Sequence, residues 1–236
     1  GMRRVDTPDA LPAALASARS EARTAFGSDE LILERALIAP RHVEIQLLAD
    51  SHGHVVHLGE RDCSVQRRHQ KIIEEGPPIA ADPEVWTQME QAAVSLAKAV
   101  GYTNAGTVEY LYSAVDHKFY FLELNPRLQV EHPVTELITG LDLVKEQIRV
   151  AEGHPLSFKQ EDLTINGHAL ELRICAEDPM NNFLPDIGKL STYKLPQGPG
   201  IRVDDCMEEG MEIPIHYDNM IAKLIVWSDT RLNAIE

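Results

Sequence analysis

The chain has 236 residues, of which 44% are hydrophobic, enough to bury a sizeable core in one large domain or two. Its 37 acidic residues outnumber 22 basic ones and give a formal charge of −15, which argues against nonspecific binding to nucleic acid or to an anionic membrane surface. It has no long apolar run, and its three widely spaced cysteines without a CxxC pair favour a reducing compartment over a zinc site or disulfide framework.

The N-terminal quarter predicts a helix, a strand and a hairpin. The helix covers residues 7–26, where Thr7 can cap the first turn and Gly27 ends the last one. Residues 31–37, LILERAL, predict a short buried strand. Polar and apolar residues alternate on both sides of a DSHG turn at 50–53, which predicts a β-hairpin with one face in the core.

Residues 60–71, ERDCSVQRRHQK, have too few apolar residues for a core strand and no helical stripe. Four cationic or imidazole side chains at the end of the segment form a positive cluster in an acidic protein: Arg67, Arg68, His69 and Lys71. Such a cluster is usually a solvated surface, but its position between sheet segments favours an anion site. A helix follows, with Asp82 as its cap and an apolar stripe running from Val85 to Val100.

A second hairpin brings two carboxylates together. Residues 106–113 and 119–124 predict antiparallel strands in which Glu109 and Glu123 are cross-strand neighbours. Two carboxylates directly opposite each other repel, whereas a cation between them makes them a ligand pair, and Mg²⁺ prefers such oxygen ligands. The alternative is a solvated polar face, because a register slip of one residue would separate the pair.

The chain continues into a polar segment, FYFLELNPRLQVEHPVTE at 119–136. If it stays extended, alternation places these residues on one face: Glu123, Asn125, Arg127, Gln129 and Glu131. Such a row is costly to bury unless it binds a metal, a phosphate or a small anion.

The second half predicts a helix at 141–153 and then mostly antiparallel strands, at 168–177, 188–196, 201–204 and 220–227. In the first of these strands Glu171, Arg173 and Cys175 share the face opposite the apolar residues. Cys63 and Cys175 are expected to be buried, inert thiols.

Four long motifs then identify a family resemblance: RHVEIQ at 41–46, ERDCSVQRRHQK at 60–71, NPRLQVEHPVTE at 125–136 and ELRICAEDP at 171–179. In order and spacing they resemble the biotin carboxylase component of biotin-dependent carboxylases, which are ATP-grasp proteins. The resemblance implies an α+β fold, with an ATP-grasp core at 1–153 that lacks the N-terminal subdomain and most of the lid. A biotin carboxylase C-terminal subdomain at 154–236 would follow. These 236 residues alone are therefore expected to be inactive or nearly so.

The resemblance also implies roles for individual residues. ATP-binding residues would be Glu34, Leu37, His42, Gln66, His69, Glu109, Leu111 and Glu123. Glu109, Glu123 and Asn125 would hold Mg²⁺ or Mn²⁺. Bicarbonate would be bound by Lys71, Arg127, Gln129 and Val130. The catalytic residues would be Glu131 as the base, Arg127, and Arg173 beside the ureido oxygen of biotin.

The implied activity uses ATP to activate bicarbonate as carboxyphosphate and then carboxylates biotin. Implied partners are a biotin carboxyl carrier protein and a carboxyltransferase subunit, in a homodimer located in the cytoplasm or, in a eukaryote, the mitochondrial matrix. The C-terminal run is most similar to alpha subunits of acetyl- and propionyl-CoA carboxylases, with pyruvate carboxylase second. Another ATP-grasp ligase, such as carbamoyl-phosphate synthetase, and a noncatalytic nucleotide-binding domain remain open.

Overall fold

A computed structural model describes residues 2–78, 83–213 and 217–236. This part of the chain divides into two compact units that meet in sequence between Ala39 and Pro40. Among the described residues, every helix is too short or too polar to cross a membrane.

The first unit contains helix α1 (Leu11–Phe26), preceded by a 3₁₀ turn at Pro8–Ala10. The helix is confirmed, and Gly27 ends it in the left-handed conformation that favours glycine. Thr7 makes no side-chain capping hydrogen bond. The strand predicted at 31–37 is wrong: this segment is irregular and mostly exposed. A strand needs a neighbour for its ladder, and the described part of this unit offers none.

The second unit is built on an eight-stranded antiparallel sheet with the order β10-β12-β6-β3-β2-β1-β4-β5. Two small two-stranded sheets, β7 with β8 and β9 with β11, complete it. The strands are β1 (Arg41–Ala49), β2 (Val55–Arg67), β3 (Gln70–Gly76), β4 (Asn104–Ser113), β5 (Lys118–Asn125), β6 (His168–Cys175), β7 (Glu177–Asp178), β8 (Leu184–Pro185), β9 (Gly188–Lys189), β10 (Ile201–Asp205), β11 (Glu212–Ile213) and β12 (Met220–Ser228). The helices are α2 (Pro83–Ala99), α3 (His132–Thr139), α4 (Leu143–Ala151) and α5 (Arg231–Ile235). The predicted α+β class is confirmed.

The first hairpin is confirmed, and β2 is longer than predicted. The Asp50 carboxylate accepts hydrogen bonds from the backbone N–H groups of His52 and His54, which fixes the turn. Residues 60–71 form the end of β2, a turn at Arg68 and His69, and the start of β3, so the expectation that they are not a core strand is wrong. A strand can bury these polar residues because their side chains pair with other polar groups of the sheet.

Helix α2 packs against the apolar face of β1 and β4. Its buried residues recur at helical spacing, and they pack against apolar residues of β1 and β4. They are Val85, Met89, Ala93 and Ala97. The predicted stripe differs at its end, because the helix stops at Ala99 and Val100 is left 59% exposed. The predicted cap, Asp82, lies outside the described residues.

The C-terminal strands extend the same sheet, because β6 pairs with β3 and β12 pairs with β6. The predicted boundary between 1–153 and 154–236 stays a prediction. The strand predicted at 188–196 is only two residues long as β9. The polar segment after β5 does not stay extended: it leaves the sheet at Asn125 and enters α3 at His132.

Candidate active site

The β4–β5 hairpin places two carboxylates face to face. Glu109 and Glu123 are directly opposite in the ladder, which confirms the predicted cross-strand pairing. The Asn125 side chain lies between them, with its Nδ2 3.1 Å from Glu109 Oε1 and 3.4 Å from Glu123 Oε1. Three oxygen-bearing side chains therefore converge on one point at the end of β5.

The next strand adds a third carboxylate. Glu44 of β1 lies opposite Glu109 of β4, and Arg61 of β2 lies opposite Glu44. Lys71 reaches into this row from β3, and its Nζ donates to Glu44 Oε2 at 2.7 Å and to Glu109 Oε1 at 2.9 Å. Opposite residues of adjacent strands point to the same face, so this part of the sheet carries a compact network of charges.

Burial and neighbouring charges set the protonation of this network. Burial opposes the ionisation of Glu109, but a hydrogen bond from His42 and the charge of Lys71 outweigh it and lower the pKa to about 2. Burial likewise opposes ionised Glu44, while Arg61 and Lys71 hold its pKa below the usual value. Burial disfavours charged Lys71, yet the surrounding carboxylates, Glu44 first, raise its pKa.

Glu131 lies at the centre of the site, in the turn that precedes α3. It is only 2% exposed. Its Oε1 accepts a hydrogen bond from Lys71 Nζ at 2.6 Å, and its Oε2 accepts one from Arg173 Nη2 at 2.8 Å. Arg173 also donates through Nε to Glu74 Oε1 at 2.7 Å. A carboxylate gripped by two cations from separate strands has a fixed orientation.

Arg127 does not join this cluster. The Arg127–Glu131 proximity expected from the sequence is absent: the Arg127 side chain is exposed, and its Nη1 contacts the Leu128 carbonyl oxygen at 3.3 Å. The cations at Glu131 are Lys71 and Arg173. The reason is the turn after Asn125, which breaks the alternation and sends Arg127 outward while Gln129 and Glu131 point inward.

A fully buried arginine ties the site to helix α3. Arg61 donates through Nε to Glu44 at 2.6 Å, through Nη1 to Gln46 and Thr135 at 2.8 and 2.7 Å, and through Nη2 to Gln129 Oε1 at 3.2 Å. Gln129 Nε2 in turn donates to Glu109 Oε1 at 2.7 Å. Sequence reasoning missed Arg61; its signal was a charged residue in the middle of a strand-forming run.

Only some of the residues predicted to bind ATP lie beside the carboxylate network. His42 Nε2 lies 2.8 Å from Glu109 Oε2, and its Nδ1 lies 3.1 Å from Gln66 Nε2. Leu111 is opposite His42 in the ladder. His69 is exposed at the β2–β3 turn. The other two predicted contacts, Glu34 and Leu37, belong to the first compact unit, where Glu34 is exposed and Leu37 half-buried.

The side chains of the basic cluster, Arg67, Arg68, His69 and Lys71, lie in different environments. Lys71 alone enters the carboxylate network. Arg67 pairs with Glu177, and its guanidinium lies 4.1 Å from the ring centre of Phe183, a cation–π contact. Arg68 is exposed. The backbone carbonyl of the remaining predicted contact, Val130, accepts a hydrogen bond from Lys223 at 2.8 Å.

The donor set at the hairpin fits a hard divalent cation. Glu109 and Glu123 offer carboxylate oxygens from facing positions, and rotation of the Asn125 amide would turn its oxygen toward the same point. Among the described residues, the hydrogen-bond partner of the Glu123 carboxylate is the neutral Asn125 amide rather than a cation. Mg²⁺ or Mn²⁺ is the ion that such oxygen ligands take.

Comparison with known proteins gives the same picture. Residues 1–159 match the family described as "Carbamoyl-phosphate synthase L chain, ATP binding domain", and residues 171–236 match "Biotin carboxylase C-terminal domain". A pyruvate carboxylase subunit of Methanothermobacter thermautotrophicus is 54% identical over 235 residues, covering 100% of this chain and 48% of that protein. The mitochondrial propionyl-CoA carboxylase alpha chain of Sus scrofa is 54% identical over 220 residues, covering 92% of this chain and 30% of that protein.

A solved structure supports the fold at high similarity. It is the biotin carboxylase domain dimer of the Hydrogenobacter thermophilus 2-oxoglutarate carboxylase, in complex with MgADP, ADP and bicarbonate. Its TM-score is 0.92 at 46% identity, covering 96% of this chain and 50% of that one. The sheet, the two matched regions and this likeness define an ATP-grasp protein. Within that class, the chain belongs to the biotin carboxylase family. It spans half or less of the length of these relatives.

Proposed function

We propose that the complete protein containing this chain carboxylates biotin with bicarbonate and ATP. The observation that carries the proposal is the position of Glu131, held between Lys71 and Arg173 beside the Glu109–Glu123 pair. This arrangement supplies a base, two cations and a set of metal ligands within one network. The family membership and the bicarbonate and MgADP of the Hydrogenobacter relative support the same assignment.

The first step is the activation of bicarbonate. Glu131 takes the bicarbonate O–H proton, while Lys71 and Gln129 stabilise the anion. Arg127 is exposed and would have to turn inward to grip the anion through two hydrogen bonds. A carbonate oxygen then forms a bond to the γ-phosphorus of ATP as the bond to ADP breaks, giving carboxyphosphate. A divalent cation held by Glu109, Glu123 and Asn125 would neutralise charge on the terminal phosphates.

The second step uses Arg173. Carboxyphosphate breaks into CO₂ and phosphate, and the phosphate takes the proton of biotin N1. The negative charge that develops on the ureido oxygen is stabilised by Arg173, and N1 then bonds to CO₂. Arg173 fits this role because it is held through Nε by Glu74 and presents Nη2 to the site.

The partners follow from the chemistry of the family. We propose that biotin arrives on a biotin carboxyl carrier protein and that a carboxyltransferase subunit takes the carboxyl group onward. The final acceptor is proposed to be acetyl-CoA or propionyl-CoA, in line with the Sus scrofa relative. Pyruvate is the alternative, in line with the relative from Methanothermobacter. A homodimer is proposed because the Hydrogenobacter domain is one.

The test measures ADP release by the complete protein with ATP, Mg²⁺ and bicarbonate, with and without free biotin. Biotin should stimulate release, and Glu131→Gln and Arg173→Ala should each abolish the stimulation while the circular dichroism spectrum is unchanged. The matched control is Arg231→Ala, since Arg231 is also an ion-paired arginine but binds Glu75. Stimulation by ammonia instead of biotin would indicate a carbamoyl-phosphate synthetase, and no turnover at all would indicate a noncatalytic domain.

A further inference from the structure

Two fully buried carboxyl groups lie side by side next to Arg173. Glu74 of β3 is directly opposite Glu171 of β6, and both are 0% exposed. Arg173 follows Glu171 by two residues, and Lys223 of β12 is opposite Arg173. Strand alternation and cross-strand pairing therefore place all four side chains on one face of the sheet.

The hydrogen bonds of this group are unequal. Glu74 Oε1 accepts from Arg173 Nε at 2.7 Å, whereas Glu74 Oε2 and both oxygens of Glu171 have no hydrogen-bond partner among the described residues. The other edge of Arg173 donates through Nη2 to Glu131. The guanidinium thus bridges Glu74 and Glu131, and its planar fork fixes the angle between them.

The protonation state of Glu171 explains how this buried carboxyl group can lack hydrogen-bond partners. Burial raises its pKa to about 9, against the opposing effect of Lys223, with Glu74 and Glu131 adding to the rise. Burial also raises the pKa of Glu74, to about 7, against the effect of Arg173, with Glu131 and Glu44 as the other carboxylates that face it. A neutral Glu171 does not compete with Glu74 and Glu131 for the N–H donors of Arg173.

We propose that Glu74 is a positioning residue for biotin carboxylation, which holds Arg173 in the orientation that meets Glu131, and that Glu171 preserves this arrangement by remaining a neutral acid. An ionised Glu171 would be a second buried acceptor without a hydrogen-bond partner. Arg173 and Lys223 are the cations that act on Glu171, so they are the donors that would turn to bind it. Arg173 would then turn away from Glu131. The inference rests on the proposed function for its catalytic consequence but not for the geometry.

The geometric arm of the test needs no turnover. Exchange of the Arg173 Nε–H with solvent can be measured by ¹⁵N NMR, with the signal assigned through Arg173→Lys. Glu74→Gln should speed this exchange by about tenfold or more, because the charged acceptor is lost. The matched control is Glu75→Gln, since Glu75 is the next residue and pairs with His168 and Arg231 instead. Equal exchange in the two variants would overturn the inference.

The kinetic arm uses the complete protein. Glu74→Gln should raise KM for free biotin or lower kcat by about tenfold, with KM for ATP unchanged, while Glu75→Gln behaves as wild type. In Glu171→Gln the loss of activity at alkaline pH should move to higher pH, because the amide cannot ionise. Wild-type kinetics in Glu74→Gln, or an unmoved alkaline limb in Glu171→Gln, would overturn the inference. A wild-type protein without biotin-dependent turnover would contradict the proposed function, and the exchange measurement would still decide the positioning role.

Discussion

Lys71 Nζ lies 2.6 Å from Glu131 Oε1, although 60 positions separate the two residues in the chain. The contact joins the β2–β3 hairpin to the turn that precedes α3. Lys71 also contacts Glu44 and Glu109, so one ammonium group forms ion pairs with three carboxylates from different elements. Both the stability of the fold and the proposed chemistry therefore depend on Lys71.

Replacing Lys71 should destabilise the protein strongly. Lys71→Met leaves three buried carboxylates facing one another without their shared cation, and we expect a loss of roughly 3–5 kcal/mol in the free energy of unfolding. Urea denaturation followed by circular dichroism measures it. Lys98→Met, an exposed position on α2, should change stability by less than about 0.5 kcal/mol. Similar small changes in both variants would show that the network contributes little.

The free energy of unfolding should also depend on pH through the neighbouring carboxyl groups of Glu60 and Glu90. Burial in the presence of Glu90 raises the pKa of Glu60 to about 8, and the two carboxyl groups share a hydrogen bond. Because the folded pKa exceeds the ordinary value of 4.5, Glu60 favours the folded state fully below pH 4.5, and this contribution is lost as pH rises toward 8.

Glu60→Gln tests this dependence. The variant should lose less stability than wild type between pH 5 and pH 8, by at least about 1 kcal/mol in chemical denaturation. Glu161→Gln, at an exposed position, is the control and should keep the wild-type slope. Parallel curves for wild type and Glu60→Gln would contradict the raised pKa.

Metal binding can be measured without any turnover. We expect Mn²⁺, detected by electron paramagnetic resonance, to bind the complete protein in the presence of ADP. Glu123→Gln and Asn125→Ala should each weaken this binding by about tenfold or more, because the first replaces a charged carboxylate with a neutral amide and the second removes an oxygen ligand. The control is Glu212→Gln, because Glu212 lies on β11, outside the eight-stranded sheet that carries the hairpin. Unchanged Mn²⁺ affinity in both hairpin variants would place the ion elsewhere.

The three cysteines should differ in reactivity. Cys206 is exposed and should be alkylated by iodoacetamide in the native protein. Cys63 is fully buried, and burial raises its pKa, so it should react only after unfolding. Cys175 is half-buried with a pKa raised by burial and should react slowly. Mass spectrometry of the labelled peptides gives the order, and rapid labelling of Cys63 would contradict its burial.

Local patterns were enough to predict much of this fold and the cross-strand pairing of Glu109 with Glu123. Strand alternation and turn residues predicted both hairpins, and the opposition of Glu109 and Glu123 followed from the length of their turn. These features depend on neighbours in sequence. The α+β class was implied by the family resemblance, and the short turns between strands agree with it, since strands joined by short turns form antiparallel sheets.

Features that depend on distant contacts were not predictable in this way. The strand predicted at 31–37 has no partner in the described part of its unit. Alternation placed Arg127 on the same face as Glu131, yet the segment leaves the sheet at Asn125 and the Arg127 side chain is exposed. Arg61, Glu74 and Lys223 gained their importance from residues far away in the chain, which composition and periodicity do not reveal.

Glu131, held between Lys71 and Arg173, is the proposed base that starts the carboxylation of biotin. The most direct measurement is the transfer of ¹⁴C from labelled bicarbonate to free biotin by the complete protein. We predict ATP-dependent formation of acid-labile carboxybiotin by the wild type and its loss in Glu131→Gln. Labelled carboxybiotin formed at the wild-type rate by Glu131→Gln, or none formed by the wild type, would contradict the claim.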